Sequence, residues 1–163
     1  MRKLENVLNI LHYCIYRAHY KFHLLFNKVN PGNLIQKIPI FKRRYEELGI
    51  NVQNEIDKAF GDKKSGISVT VAGGLLGSIV FLLLFDISIL LKKILKIDTF
   101  LSVEYLFALG LIAITISYLF VFKKDKYLVY FNKFEGWTRS EKRKYGWLSL
   151  MIPIAISLLV LLF

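Results

Sequence analysis

Ile67-Ser-Val-Thr-Val-Ala-Gly-Gly-Leu-Leu-Gly-Ser-Ile-Val-Phe-Leu-Leu-Leu-Phe85 carries no charge, and the next ionisable residue along the chain is Asp86. At helical rise these residues cover roughly 28 Å, close to a hydrocarbon core of about 30 Å. A buried helix in a soluble protein of this size normally keeps a polar face, whereas this one offers only small hydroxyls. The stretch reads as the first of three membrane-spanning helices.

Composition supports that reading. Of 163 residues, 55% are hydrophobic, and mean hydropathy is +0.44. The net charge of +11 invites a nucleic-acid reading, so its placement matters. Residues 1–66 carry twelve Lys/Arg against six Asp/Glu, and Lys123–Gly146 carries eight against three. Three spans put both segments on one side, and positive charge held inside explains them better than a DNA-binding face. The expected location is a bacterial inner membrane, with the N-terminus cytoplasmic and the C-terminus outside. The three lysines at 92, 93 and 96 run against that orientation. Cys14 is the only cysteine, which excludes an intrachain disulfide and a thiolate metal cluster. The first apolar run is broken by His12, Arg17 and His19, so it does not read as a cleaved signal peptide.

The expected fold is all-α: an integral membrane protein with a small helical cytoplasmic unit over 1–66 and a membrane domain over 67–163. Helices are expected at about 2–28, 41–48 and 52–60. Spans follow at about 67–91, 103–122 and 147–163, with a cytoplasmic loop over 123–146. In the first helix, Leu4, Val7, Leu8, Leu11, Ile15, Ala18, Phe22, Leu25 and Phe26 share one side, and Tyr13, Tyr16 and Tyr20 sit opposite. Asn30-Pro-Gly-Asn33 ends it, and Leu34–Ile40 should be extended. Asn51 is a fitting cap, and Asp62-Lys-Lys-Ser-Gly66 reads as a polar hinge. Lys92–Leu101 should lie along the interface. Tyr127, Tyr130, Phe131 and Phe134 form an aromatic face suited to headgroups. Thr138 and Glu141 have capping-box spacing for a short basic helix, and a kink is expected at Pro153.

Ala72-Gly-Gly-Leu-Leu-Gly77 resembles a degenerate dinucleotide fingerprint but lacks the soluble βαβ context and the acidic residue that fingerprint needs. Helix packing fits better. Thr70, Gly73, Gly74 and Gly77 make a ridge of small residues, and Gly110, Ala113 and Ser117 make a second stripe on the next span. Ser68 and Asp86 point away from the first ridge, so that face needs water, a cation or a second protein surface; a carboxylate hydrated near the outer headgroups is the plainer reading of Asp86, and an ion path is the alternative.

His12, His19 and His23 fall within about 40° on the wheel, with Glu5 on the same stripe. His19 and His23 have the spacing to share a metal or sense pH, while a passive interfacial stripe is the plainer reading. Lys42, Arg43, Arg44, Lys142, Arg143 and Lys144 suit anionic lipid headgroups.

No catalytic constellation, metal motif or phosphate loop stands out, and no enzyme activity or cofactor is expected. The expected function is a non-enzymatic membrane protein that self-associates or serves as a subunit of a complex, with the N-terminal unit as its cytoplasmic contact or sensing surface. The expected partners are the lipid bilayer and a second copy or another membrane protein, not nucleic acid. A homo-oligomeric pore, ion channel or membrane-disrupting effector is the alternative.

Overall fold

A computed structural model describes residues 2–27, 30, 38–96 and 102–162. Among these residues every regular element is helical. The elements are α1 (Arg2–Asn27), α2 (Pro39–Glu47), α3 (Val52–Gly61), α4 (Ile67–Ile94), α5 (Val103–Ser117), α6 (Lys126–Glu135) and α7 (Arg139–Leu162). Two helical runs, Ile67–Ile94 and Val103–Glu135, are long and apolar enough to cross a membrane. Most of the Asn30–Asn33 turn, the first four residues of Leu34–Ile40 and the second half of Lys92–Leu101 lie outside the described residues.

Local chemistry accounts for the ends. α2 begins two residues earlier than expected because Pro39 occupies its first turn, where a missing N–H costs nothing. It closes in a Schellman motif: Ile50 N–H donates to the Tyr45 carbonyl, Gly49 N–H donates to that of Glu46, and Gly49 takes φ +63°. Asn51 caps α3, its side chain accepting from Asn54 N–H at 3.1 Å. The capping box at α7 is reciprocal: Thr138 N–H donates to Glu141 Oε2 at 2.8 Å, and Glu141 N–H to Thr138 Oγ1 at 3.2 Å. The Thr138 N–H and the Thr138 hydroxyl, which donates to the same Oε2 at 2.9 Å, hold the Glu141 carboxyl below its ordinary range. From there α7 continues as one helix through Pro153, rather than as a short basic helix followed by a span.

α5 does not end cleanly. It widens into a π-turn at Tyr118–Phe122, and Lys124 and Asp125 then take φ +59° and +52° before α6 begins. Two consecutive L-residues in the left-handed region are uncommon, and they break what would otherwise be one long helix.

The chain forms two compact units: Met1–Ile15 with Gly73–Phe163, and Tyr16–Ala72. In the first, α6 packs on the start of α1. Phe131 and Phe134 are buried, with Phe131 against His12 and Tyr13 and Phe134 against Tyr13. The aromatic face expected to meet headgroups is therefore mostly protein core. In this part of α1, Leu8 and Leu11 of the expected apolar side are buried together with Asn9, His12 and Tyr13, while Leu4 and Val7 of that side are exposed; farther along, in the second unit, Tyr16 is buried and Phe22, Leu25 and Phe26 are exposed. Rings on α6 suit a tyrosine and histidine face better than an aliphatic one.

In the second unit α3 lies along the rest of α1. Tyr16 Oη donates to the Gly61 carbonyl at 2.7 Å, and His23 stacks on Phe60 with centroids 3.6 Å apart. The segment expected to be a hinge is a closed turn. Asp62 accepts from Lys64 N–H and Ser65 Oγ, both at 2.8 Å, and Gly66 N–H donates to the Asp62 carbonyl at 3.0 Å. A Cβ at Gly66 would fall on that same carbonyl, so only glycine fits there.

Candidate functional site

The first unit holds a groove of about 630 Å³ between α4 and α5. The two helices are joined at both ends of it. At one end Tyr105 Oη donates to Ser88 Oγ at 2.8 Å. At the other, the Phe122 ring from the π-turn lies over Gly73, with its Cζ 2.9 Å from where a Cβ would stand. Gly73 therefore serves packing within the chain. Between these ties the helices stay apart. Gly74, Gly77, Gly110, Ala113 and Ser117 line the groove, and a Cβ built on Gly74, Gly77 or Gly110 meets nothing within 4 Å. Both small-residue stripes expected from sequence thus face one opening, except that Thr70 lies outside it, exposed, its hydroxyl donating to the Gly66 carbonyl at 3.1 Å.

Ser68 and Asp86, the polar pair expected to point away from the first ridge, are both buried. Asp86 is 6% exposed and accepts from Ser157 Oγ on α7 at 3.1 Å. A protein surface, supplied by the Pro153-containing helix, answers this carboxylate. Ser68, in the second unit, is fully buried, with its Oγ 3.0 Å from His19 Nδ1.

The histidine stripe is divided among three environments. His12 is fully buried in a box of Phe122, Tyr127 and Phe131, with ring centroids 5.2–5.5 Å away. His19 meets Ser68. His23 Nε2 lies 3.3 Å from Asp57 Oδ1, an oxygen that also accepts from Asn27 Nδ2 at 3.1 Å and Gln53 Nε2 at 3.3 Å. Among the described residues no group of three His, Cys, Asp or Glu side chains is placed to hold a metal.

Asn9, which the sequence pattern puts on the partly polar side of α1, meets the helix break in the first unit. It is fully buried, and its Nδ2 donates to the Phe120 carbonyl at 3.1 Å and to the Glu5 carbonyl at 2.7 Å. A helix that ends in a π-turn leaves carbonyls without intrahelical donors, and Asn9 satisfies one of them. Below it, Glu5 pairs with Lys126 Nζ at 3.1 Å and accepts from Tyr130 Oη at 3.3 Å. Burial, together with that carboxylate, pushes the Tyr130 hydroxyl up. The only sequence signal for this network was Glu5 on the histidine stripe.

A cleft in the second unit of about 930 Å³ is lined partly by Glu55, Asp57 and Asp62. Each carboxylate is already engaged, Glu55 by Lys58 at 2.7 Å and the others as above.

Of the basic residues, Lys42 pairs with Glu46 at 3.8 Å, Arg43 with Glu47 at 3.3 Å, and Lys142 Nζ donates to the Glu135 carbonyl at 2.6 Å. Arg44, Arg143 and Lys144 are exposed.

Compared with protein-family models, characterised proteins and solved structures, the chain finds no significant match.

Proposed function

We propose that this chain is a non-enzymatic integral membrane protein that self-associates, or joins a membrane complex, through the groove between α4 and α5. The observation that carries this reading is the empty space above Gly74, Gly77 and Gly110. Small residues in a membrane helix allow close approach of another backbone, and contact area gained this way is a main source of association in lipid. Two helices tied at their ends and separated in the middle leave that approach open to a helix from outside. A second copy presenting its own α4 would make a self-complementary, two-fold interface.

Membrane insertion is supported by exposure. In the most apolar eighteen residues of Ile67–Ile94 and of Val103–Glu135, only 17% and 22% are buried, so most of that apolar surface needs lipid rather than water. α7 supplies the third span over its C-terminal part. The basic segments then face the cytoplasm of a bacterial inner membrane, with the N-terminus inside and the C-terminus outside. Of the two expected readings, self-association is preferred to a pore, because the hydrogen bond from Ser157 occupies Asp86.

The test is oligomeric state in mild detergent for the wild type and for Gly77→Leu, with helix content measured in parallel. The expected result is a wild-type oligomer and a Gly77→Leu monomer of unchanged helicity. A monomer in both cases overturns the reading.

A further inference from the structure

α2 divides its charges and its apolar residues in a particular way. On the helical wheel Ile40, Phe41, Arg44, Tyr45 and Leu48 fall in an arc of about 140°, and Lys42, Arg43, Glu46 and Glu47 occupy the rest. On that second arc both cations are taken, Lys42 by Glu46 and Arg43 by Glu47. Among the described residues Arg44 makes no ion pair, and it stands exposed in the middle of the apolar arc. No residue of α2 is buried; Ile40 is 77% exposed and Leu48 is 61% exposed.

We infer that α2 is an interfacial anchor: its Ile40/Phe41/Leu48 face enters the headgroup region of the bilayer, and Arg44 holds an anionic lipid phosphate. The charge arrangement selects this occupant. One unpaired guanidinium among apolar side chains matches a surface that is hydrocarbon below and phosphate above, which a long side chain can span by snorkelling. Four paired charges on the other face leave that side nearly neutral and suited to water. Connectivity agrees. Only eighteen residues lie between Leu48 and Ile67, and about 15 Å of that path is α3, so α2 is tethered near the point where the first span enters lipid. In the same unit α1 exposes Phe22, Leu25 and Phe26 beside the exposed Lys21, a second face of the same chemistry.

The inference rests on α4 being a span, and the experiment separates the two. With Cys14 replaced by serine, the full chain carries one environment-sensitive fluorophore, at Phe41→Cys or at Leu75→Cys on the exposed side of α4. It is placed in nanodiscs of phosphatidylcholine, alone or mixed with phosphatidylglycerol, that contain a spin-labelled quenching lipid. Quenching at position 75 reports the span. Quenching at position 41, stronger in the anionic discs, reports the anchor. Arg44→Gln should then lower the ratio of embedded to free α2 about fivefold, the equivalent of ~1 kcal/mol for one cation at an anionic surface. Removing the Lys42–Glu46 pair with Lys42→Gln and Glu46→Gln together should leave it unchanged. A label at 41 that stays in water while the label at 75 is quenched overturns the anchor alone, as does embedding indifferent to Arg44→Gln. An unquenched label at 75 overturns the span reading and the anchor with it.

Discussion

The seam between α1 and α6 and the groove between α4 and α5 belong to the same compact unit and are built by opposite means. In the seam large rings fill every space: Phe131 is fully buried against His12, Tyr13 and Tyr127, and Phe134 lies on Tyr13 and Trp137. In the groove the side chains are removed, and at three glycines nothing replaces them. A filled seam fixes one arrangement of its own chain. An unfilled groove of the same unit is stable only if something from outside lies in it or if lipid does. Substitutions should therefore act on folding in the first region and on association in the second.

The largest effect should come from Phe131→Ala. Deleting a fully buried ring leaves a cavity among three other rings, and a loss of about 3–5 kcal/mol is expected in reversible denaturation. A loss below about 1 kcal/mol would mean that the seam is not the filled core described here.

Next is Asn9→Leu, which fills similar space but withdraws the donor from the Phe120 carbonyl. A buried carbonyl left alone costs about 1–3 kcal/mol. Hydrogen exchange should increase locally around Lys123–Asp125 before it does elsewhere, and uniform protection would contradict Asn9 as the cap of the π-turn.

Gly73 and Gly77 sharpen the comparison, since they lie one turn apart on one helix. Gly73→Leu must displace the Phe122 ring and should lower stability, whereas Gly77→Leu projects into open space and should leave the unfolding midpoint of the monomer unchanged. Equal destabilisation by both would erase the distinction between the ridge that packs inside the chain and the one that does not.

Gly49→Ala, in the second unit, forces an L-residue to φ +63° and should cost about 1 kcal/mol, read as fraying of α2 by hydrogen exchange.

The smallest effect is on pH. The Glu141 carboxyl sits below its ordinary range in the folded chain, so the cap's contribution is complete above the unfolded value and disappears as pH falls through the folded one. Acidification should lower the protection factor of the Thr138 amide, which donates to that carboxylate, in wild type and leave it unaltered in Glu141→Gln.

Much of this was legible beforehand. The lack of charge from Ile67 to Phe85 is enough to set a long apolar helix, and Asn51 and the Thr138–Glu141 pair marked helix ends because caps are local chemistry. The buried side of α1 was not legible. Both of its faces carry apolar surface, and the choice depends on rings more than a hundred residues away on α6. The break at Lys124 and Asp125 has no glycine to announce it, and the Asn9 side chain that bonds the Phe120 carbonyl beside it lies more than a hundred residues away in sequence. For the same reason the ridge looked uniform: whether a glycine packs inside the chain depends on where Phe122 lands. The bond from Asn27 to Asp57 has no local sequence signal, because it forms only where α3 lies along α1.

The central claim is that the groove at Gly77 receives a second copy. Oxidative crosslinking of the Cys14→Ser chain carrying Gly77→Cys, in a native-like bilayer, tests it most directly, with Phe107→Cys on an exposed part of α5 as the control for random collision. The expected result is efficient crosslinking at 77 and little at 107, since close backbone approach brings symmetry-related residues within disulfide reach. Crosslinking at 107 that equals or exceeds that at 77 would contradict it.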